Sequence, residues 1–263
     1  MRIAMCQVVS SADPKANLDL VADGIRRAAE GGADLAVFPE ATMACFGVKL
    51  GPLAEPLDGP WASEVRRLAD EAGIAVVAGM FTPAPDGRVT NTLLVTGRGL
   101  DTSYDKIHLY DAFGFAESLT VAPGSEPLVV ELDGTKIGFT TCYDVRFAGL
   151  YQELADRGAS VIVTPASWGA GEGKREQWEL LVRARALDST SWVIACGQAD
   201  PRAAGVQPSD KAPTGIGYSL VATPLGRTHE QLDASPEVRV VEIDPTDVEQ
   251  VRQAVPVLTN RRY

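Results

Sequence analysis

Residues 136–146 read Lys-Ile-Gly-Phe-Thr-Thr-Cys-Tyr-Asp-Val-Arg, and they join a predicted strand to a predicted helix. Polar and apolar side chains alternate over 136–141 after an Asp133-Gly134 turn, which is typical of a strand that leaves a hairpin. A helical pattern follows over about 147–157. Cys142 therefore lies between a strand end and a helix start, where unpaired backbone N–H groups can face a nucleophile or a developing oxyanion. A buried core cysteine is the alternative interpretation of this thiol.

The segments on either side of this stretch alternate between strand and helix patterns. Asp13-Pro14 has the N-cap and first-turn proline that begin a helix, and Gly31-Gly32 ends it. We predict helices over 14–30, 60–72, 147–157 and 176–189, and a last helix from 245. We predict strands over 2–8, 34–38, 74–79, 91–96, 136–141, 161–164, 192–196, 217–222 and 238–243, with an extended segment over 103–109 and a loop over 110–127. This order predicts an α/β fold.

The two halves of the chain resemble each other in sequence. Three segments match in the same order: 32–39 with 158–165, 74–79 with 192–197, and 93–96 with 219–222. Shared Gly-Ala and valine-rich strands can make any two α/β units look alike, but three matches in order favour an internal duplication. We predict two similar halves whose sheets pack face to face with helices outside both, a four-layer αββα sandwich with an internal pseudo-two-fold repeat. Because no low-complexity linker separates the halves, residues 1–263 should form a single domain.

Composition limits the possible partners and cofactors. A formal net charge of −11 argues against nucleic acid and anionic membranes as partners. The chain has no run of eighteen apolar residues and no signal-peptide pattern at its start, so we predict a soluble, cytoplasmic protein. The four cysteines lack a CxxC or zinc-like spacing and there are only two histidines. A reduced compartment, no disulfides, no metal and no cofactor are the corresponding expectations.

Three chemically competent residues directly follow predicted strands, and a fourth lies in the intervening loop. Glu40, Lys106 and Cys142 follow strand or extended segments, and Glu117 lies between the last two. Each could be an ordinary surface or core residue. Together they provide the groups that amide hydrolysis requires. An ammonium lowers the pKa of a nearby thiol, and a carboxylate can take the thiol proton, pass it to ammonia and then activate water. The lysine and the backbone N–H of Tyr143 can face the oxyanion.

The motifs around these residues identify a family resemblance. Phe-Pro-Glu at 38–40, Asp-Lys-Ile-His-Leu at 105–109 and Thr-Cys-Tyr-Asp-Val-Arg-Phe at 141–147 closely resemble the three catalytic motifs of the nitrilase superfamily of carbon–nitrogen hydrolases. The resemblance implies Glu40 as general base and Cys142 as nucleophile. It implies that Lys106 stabilises the oxyanion and the thiolate, and that Glu117 positions the lysine and the substrate. It also implies the αββα fold and a homodimer or higher homo-oligomer.

The Cys-Tyr-Asp-x-Arg-Phe form resembles the omega-amidase and deaminated-glutathione-amidase branch, although residues 171–177 depart from that branch. We therefore predict a cofactor-independent amidase that hydrolyses small non-peptide carboxamides to carboxylate and ammonia through a thioester. A nitrilase or an N-carbamoyl amidohydrolase of the same superfamily is the alternative reaction. A redox-sensing thiol protein and a non-catalytic member of the fold are the alternatives from other functional classes. Ammonia release from short amides distinguishes the amidase from both.

Several further residues are candidates for the substrate pocket. Arg146 either pairs with Asp144 or meets a substrate carboxylate, because a guanidinium suits that ligand. Lys174 and Arg175 are the alternative cations for that carboxylate. Trp168 follows a strand end and either lines the pocket or packs in the core.

His108 is a rival partner for the thiol. It shares a strand face with Lys106, so its spacing allows it to reach Cys142. The family resemblance gives it no proton-transfer role. We therefore predict a structural role for His108.

Overall fold

Strands and helices alternate along the chain in a computed structural model that describes residues 1–208 and 212–262. The helices are α1 (Pro14–Glu30), α2 (Pro60–Ala72), α3 (Ala148–Asp156), α4 (Lys174–Ser189), α5 (Asp247–Ala254) and α6 (Val257–Asn260). The strands of the first half are β1 (Arg2–Gln7), β2 (Leu35–Val37), β3 (Ala75–Pro83), β4 (Val89–Gly97), β5 (Leu100–Asp105), β6 (Asp111–Ala112), β7 (Phe115–Ala116) and β8 (Val121–Ala122). Those of the second half are β9 (Val129–Leu132), β10 (Thr135–Phe139), β11 (Val161–Ala166), β12 (Trp192–Gly197), β13 (Leu220–Ala222), β14 (Thr228–Gln231) and β15 (Glu237–Glu242).

Two large sheets repeat the same strand order. The first runs β15-β1-β2-β3-β4-β5, with β8 added beside β4, and the second runs β9-β10-β11-β12-β13-β14 when read from its other end. In each sheet three central strands are parallel, and the outer strands join them antiparallel. The three predicted sequence matches fall on β2 and β11, β3 and β12, and β4 and β13. The internal repeat therefore relates strands that occupy the same place in the two sheets.

Alternating side chains divide the interior into three layers of packing. One face of each sheet meets the other sheet, with Met5 and Val77 from the first packed in one cluster with Val163 and Ile194 from the second. The opposite face of the first sheet packs on α1 and α2. The opposite face of the second packs on α3 and α4. This arrangement confirms the αββα sandwich, and the prediction of a single domain over residues 1–263 stays a prediction.

Local signals fixed most element boundaries. The Asp13 carboxylate accepts a hydrogen bond from the Lys15 N–H at 2.9 Å and so caps α1. Asp133 and Gly134 have φ values of 50° and 78°, as a two-residue turn between β9 and β10 requires. A short 3-10 helix (Cys142–Arg146) connects β10 to α3.

Two short-strand regions differ from the sequence prediction. Residues 110–127 are not wholly a loop, because β6 and β7 pair as a small hairpin around Phe113 and Gly114 and β8 joins β4. Strand β14 was not predicted. Strands of two residues show no periodicity, and the Thr-His-Glu-Gln sequence of β14 is a polar edge strand without an apolar face. Within the described ranges, no helix has both the length and the apolar character needed to cross a membrane.

Candidate active site

Glu40 lies on a sharply turned segment after β2. Its neighbour Ala41 has a φ of 58°, and the turn is closed by a hydrogen bond from the Gly79 N–H to the Pro39 carbonyl at 3.2 Å. A Cβ on Gly79 would lie 2.7 Å from both the Pro39 carbonyl oxygen and the Ala41 nitrogen. Only a glycine at this point of β3 therefore lets the segment pass close enough to direct the Glu40 carboxylate inward.

Lys106 joins two carboxylates in the interior. Its Nζ donates to Glu40 Oε1 at 2.9 Å and to the two carboxylate oxygens of Glu117 at 2.9 and 3.1 Å. The lysine is only 2% exposed. Burial lowers the pKa of Lys106, but the Glu40 and Glu117 carboxylates outweigh burial, so that its pKa lies well above the usual value. The side chain is thus held as an ammonium ion between two carboxylates.

Three further groups hold the two carboxylates. Asn91 Nδ2 donates to Glu40 Oε1 at 2.7 Å and to Glu117 Oε1 at 3.3 Å. The Ser167 N–H donates to Glu40 Oε2 at 2.8 Å, and the Tyr110 N–H donates to Glu117 Oε2 at 2.6 Å. Sequence reasoning missed Asn91 and Ser167. Asn91 had one available signal, an amide in the middle of a strand that is otherwise threonine and aliphatic residues.

Cys142 begins the 3-10 helix after β10 and has a φ of 48°, a conformation that is strained for a residue with a side chain. The thiol lies 3.9 Å from the Ser167 carbonyl oxygen, to which it donates. Burial raises the pKa of the thiol, Glu40 raises it further, and Lys106 lowers it by less, so the net direction is well above the usual value. The Lys106 ammonium therefore acts on the thiol pKa in the predicted direction, but burial and the Glu40 charge outweigh it.

Asp144 organises the turn that follows Cys142. Its carboxylate accepts from the Tyr104 hydroxyl at 2.7 Å, from the Thr141 N–H at 2.8 Å and from the His108 N–H at 2.9 Å. The His108 ring also meets Asp144 at 2.7 Å and stacks on a neighbouring phenylalanine. These contacts hold His108 against Asp144 and fit its predicted structural role.

Arg146 does not pair with Asp144, and the prediction of such a pair is wrong. Its Nη2 donates to Gln177 Oε1 at 2.8 Å, and its guanidinium carbon lies 5.8 and 5.3 Å from the ring centroids of Tyr143 and Trp168. Asp144 is already occupied by the turn and by His108, which leaves the guanidinium to face the cleft. Arg185 instead ties the turn to α4, because its Nη1 donates to the Val145 carbonyl at 2.9 Å.

A cleft opens onto the thiol, and its empty volume, including the solvent-filled mouth, is about 410 Å³. Its lining contains the seven residues predicted to form the catalytic centre and the substrate pocket: Glu40, Lys106, Glu117, Cys142, Tyr143, Arg146 and Trp168. The other lining residues are Phe46, Tyr110, Phe115, Ser167, Gly169, Lys174 and Pro213. Lys174 is thus a cleft residue, whereas Arg175 stacks on Tyr218 and pairs with Glu179 outside the lining. Trp168 both lines the cleft and packs in the core, where its ring centroid lies 5.2 Å from that of Trp178.

The arrangement has the components of nucleophilic acyl transfer. A thiol, a carboxylate and an ammonium line one cleft. Tyr143 follows the thiol in the first turn of the 3-10 helix, where backbone N–H groups are free of helical partners. Within the part of the chain that the structure describes, no three acidic, cysteine or histidine side chains are grouped to hold a metal ion. The catalytic roles of the individual residues stay predictions.

Comparison with known sequences finds one family and several similar proteins. Residues 2–253 match the model of the carbon-nitrogen hydrolase family. The chain is 58% identical over 267 residues to the hydrolase Rv0480c of Mycobacterium tuberculosis, covering 99% of this chain and 95% of that protein. It is 34% identical over 272 residues to the deaminated glutathione amidase of Escherichia coli O157:H7, covering 100% of this chain and 98% of that protein.

Solved structures give the same result. Nit3 of Saccharomyces cerevisiae, a member of branch 10 of the nitrilase superfamily, superposes with a TM-score of 0.85 at 26% identity, over 100% of this chain and 97% of that one. A mutant of the amidase from Nesterenkonia sp. AN1 superposes with a TM-score of 0.81 at 26% identity, over 100% and 94% of the two chains. That structure shows covalent addition of the acetamide moiety of fluoroacetamide at the active-site cysteine.

Proposed function

The chain belongs to the carbon–nitrogen hydrolase family of the nitrilase superfamily, and we propose that it is a cysteine-dependent amidase that converts small non-peptide carboxamides to a carboxylate and ammonia. Membership confirms the resemblance predicted from the three motifs. The observation that carries the proposal is the buried Glu40–Lys106–Glu117 cluster, joined by 2.9 Å contacts, in the cleft that contains the Cys142 thiol.

Acylation begins from a neutral thiol. Glu40 takes the proton as the sulfur attacks the amide carbon, so the thiolate forms only when a substrate is present. The oxyanion of the tetrahedral intermediate faces the Lys106 ammonium and the Tyr143 N–H. Collapse of this intermediate expels ammonia, which receives the proton from Glu40, and leaves a thioester on Cys142. The raised pKa of the thiol supports this order of events, because the sulfur holds its proton until a base removes it.

Deacylation reuses the same groups. Glu40 draws a proton from water as the water attacks the thioester, and Lys106 again faces the oxyanion. The proton then returns to sulfur as the carboxylic acid leaves, and the acid loses its remaining proton to solvent to give the carboxylate. Glu117 acts on the lysine and not on the substrate proton: its two oxygens accept from Lys106 and from the Tyr110 N–H, which leaves it committed to holding the ammonium.

The far end of the substrate is an anionic group, held by Arg146 and Lys174. Both cations line the cleft, and among the described residues neither forms an ion pair with a carboxylate. Burial and the charge of Arg146 lower the pKa of Lys174, as expected for two cations that share one enclosure. A carboxylate between them would relieve this repulsion, and the planar guanidinium can meet both of its oxygens. Acid-amides of the omega-amidase type fit these requirements.

We also propose that the protein is cytoplasmic and works as a homodimer or larger homo-oligomer. The free thiols fit a reducing compartment. Leu180 and Leu187 on α4 are 65% and 48% exposed, and the nearby Leu225 is 47% exposed, so this face offers apolar surface to a second copy. Light scattering after size exclusion should give a mass of at least twice the 27.9 kDa of the chain, and a monomer at micromolar concentration would refute the assembly.

Ammonia release from a panel of substrates tests the activity itself. The panel contains α-keto acid ω-amides, neutral aliphatic amides, nitriles and carbamoyl amines. We expect turnover of amides by the wild-type protein, none by Cys142→Ala, and full turnover by Cys45→Ala, which removes a half-buried thiol that is absent from the cleft lining. Release from nitriles or carbamoyl amines alone would replace the amidase with another reaction of the superfamily, and release by Cys142→Ala would refute the mechanism.

A further inference from the structure

Asn91 is a buried amide that contacts both carboxylates of the site. It lies on β4 with no exposed surface, and its Nδ2 donates to Glu40 Oε1 at 2.7 Å and to Glu117 Oε1 at 3.3 Å. Its Oδ1 is buried and has no hydrogen-bond partner among the described residues. An unsatisfied buried acceptor is destabilising, so the Asn91 side chain does not serve the stability of the strand. Its contribution is the hydrogen bonds to the two carboxylates.

The charges around Asn91 fix the orientation of its amide. Rotating the amide by half a turn would place Oδ1 against two carboxylate oxygens and remove both hydrogen bonds. With the amide as it stands, its two N–H groups are divided between Glu40 and Glu117. Lys106 contacts the same two oxygens, so the lysine and the asparagine together fill the space between the carboxylates.

The two carboxylate oxygens of Glu40 differ in how many hydrogen bonds they accept. Oε1 accepts from Lys106 and Asn91, which occupies both of its lone-pair sites. Among the described residues, Oε2 accepts only the Ser167 N–H, at 2.8 Å, and so has one free lone pair. The carbonyl of Ser167 is also the acceptor of the resting Cys142 thiol. The oxygen with spare capacity is therefore the one whose donor residue, Ser167, also contacts the thiol.

We propose that Asn91 is a positioning residue that directs the thiol proton to Oε2 of Glu40. This rests on the proposed amidase function. The S–H bond of Cys142 breaks, its electron pair stays on sulfur, and an O–H bond forms at Oε2 to give a neutral carboxylic acid. The same proton leaves Oε2 for the departing nitrogen, which restores the carboxylate. Without Asn91, Oε1 regains a free lone pair and the carboxylate can rotate, so the base loses its fixed direction.

Two substitutions test the role of Asn91, with a third as control. Asn91→Asp replaces the two N–H donors by a third carboxylate, which disfavours the ionised form of Glu40. The acid limb of the pH profile of kcat/KM should therefore move upward by roughly one pH unit or more. Asn91→Ala should lower kcat by about 10–100-fold, the usual loss when a group that orients a reacting residue is removed, with KM little changed. Val95→Ala, on the same strand in the inter-sheet core, should lower Tm and leave both readouts unchanged.

Rates are expressed per intact site, counted by mass spectrometry of Cys142 after alkylation with iodoacetamide. The pH dependence of this alkylation is a second readout, which remains measurable in a variant too slow for turnover. Asn91 variants with a wild-type acid limb, a wild-type alkylation profile and full kcat per site would overturn the positioning role while leaving the amidase in place. Full amidase activity in Cys142→Ala, or none in the wild type, would overturn the proposed function and the role of Asn91 with it.

Discussion

At the scale of single residues, the site gives different hydrogen-bonding environments to two chemically identical carboxylates, Glu40 and Glu117. Glu40 has an oxygen with spare hydrogen-bonding capacity in the cleft of the thiol, whereas both oxygens of Glu117 accept from Lys106 and one also accepts a backbone N–H. A proton acceptor needs a free lone pair that is directed at the proton. The hydrogen bonds therefore support the proposal that Glu40 transfers the proton and Glu117 positions the ammonium.

Replacing each carboxylate by its amide tests this division. Glu40→Gln should lose about 10²–10⁴-fold in kcat, the usual contribution of a positioned acid–base group, in both acylation and thioester hydrolysis. Glu117→Gln should lose about 10–100-fold, because the base is still present and only the ammonium is less well held. Stopped-flow acylation and steady-state ammonia release measure the two half-reactions. Near-normal turnover of Glu40→Gln together with an inactive Glu117→Gln would exchange the two roles.

The proposed anion site formed by the cleft cations predicts which amides are good substrates. Arg146→Lys should raise KM for acid-amides by about tenfold or more, because a charge-assisted bidentate contact is lost, and should spare neutral aliphatic amides. Arg175→Lys is the matched control, since Arg175 lies on the same helix as Lys174 but pairs with Glu179 outside the cleft. Equal losses of Arg146→Lys on both substrate types would make this arginine a structural residue.

At the scale of elements, local sequence signals predicted most of the fold. Helix α2 begins and ends where Pro60 and Gly73 indicate, because proline suits the first helical position and Gly73 has the φ of 67° that a left-handed cap needs. The strands with alternating apolar residues were also predicted. The β6–β7 hairpin and β14 were not, because two-residue strands and a polar edge strand have no periodicity to detect.

The site could be predicted only as far as its motifs reach. Glu40, Lys106 and Cys142 follow strand ends, and this position is visible in the sequence. The hydrogen bonds from Asn91 and Ser167 to Glu40 join residues 51 and 127 positions apart, and no local pattern determines such contacts. The raised pKa of the Cys142 thiol was not visible in the sequence either, because burial depends on the packing of both sheets.

At the scale of the whole molecule, the site depends on the stacking of two similar halves. Glu40, Lys106 and Glu117 come from the first half, and Cys142 and Ser167 come from the second. A hydrogen bond from the Ser167 N–H to Glu40 Oε2, 2.8 Å long, joins the two halves. Neither half contains both the nucleophile and its base. The packing of the two similar halves therefore also brings together the residues that line the cleft.

The buried interior also predicts how stability depends on pH. Burial raises the pKa values of Cys6 and Cys142, raises that of Cys196 to about 12, and raises that of Tyr104. A group with a raised pKa stabilises the folded chain fully below its unfolded pKa, and that stability is lost as pH rises toward the folded value. Because unfolded thiols ionise near pH 8.5, each buried thiol should cost about 2 kcal/mol of unfolding free energy at pH 10.

Thermal unfolding between pH 7 and pH 10.5 measures this loss. We expect Tm to be nearly level up to about pH 8 and to fall steadily above it. Cys196→Ala should be less stable than the wild type at pH 7, because it leaves a cavity, and should show a shallower alkaline decline because one titrating thiol is gone. A Tm that is constant up to pH 10.5 would contradict the raised pKa values.

Direct detection of the acyl-enzyme tests the central claim, that Cys142 carries the substrate as a thioester. The wild-type protein is mixed with a slowly hydrolysed amide, quenched in acid and analysed by intact-mass and peptide mass spectrometry. We predict a mass increase equal to the acyl group, located on Cys142 and removed by neutral hydroxylamine, and no such increase in Cys142→Ala. Ammonia release without an adduct on Cys142, or an adduct on Cys6, Cys45 or Cys196 instead, would contradict the claim.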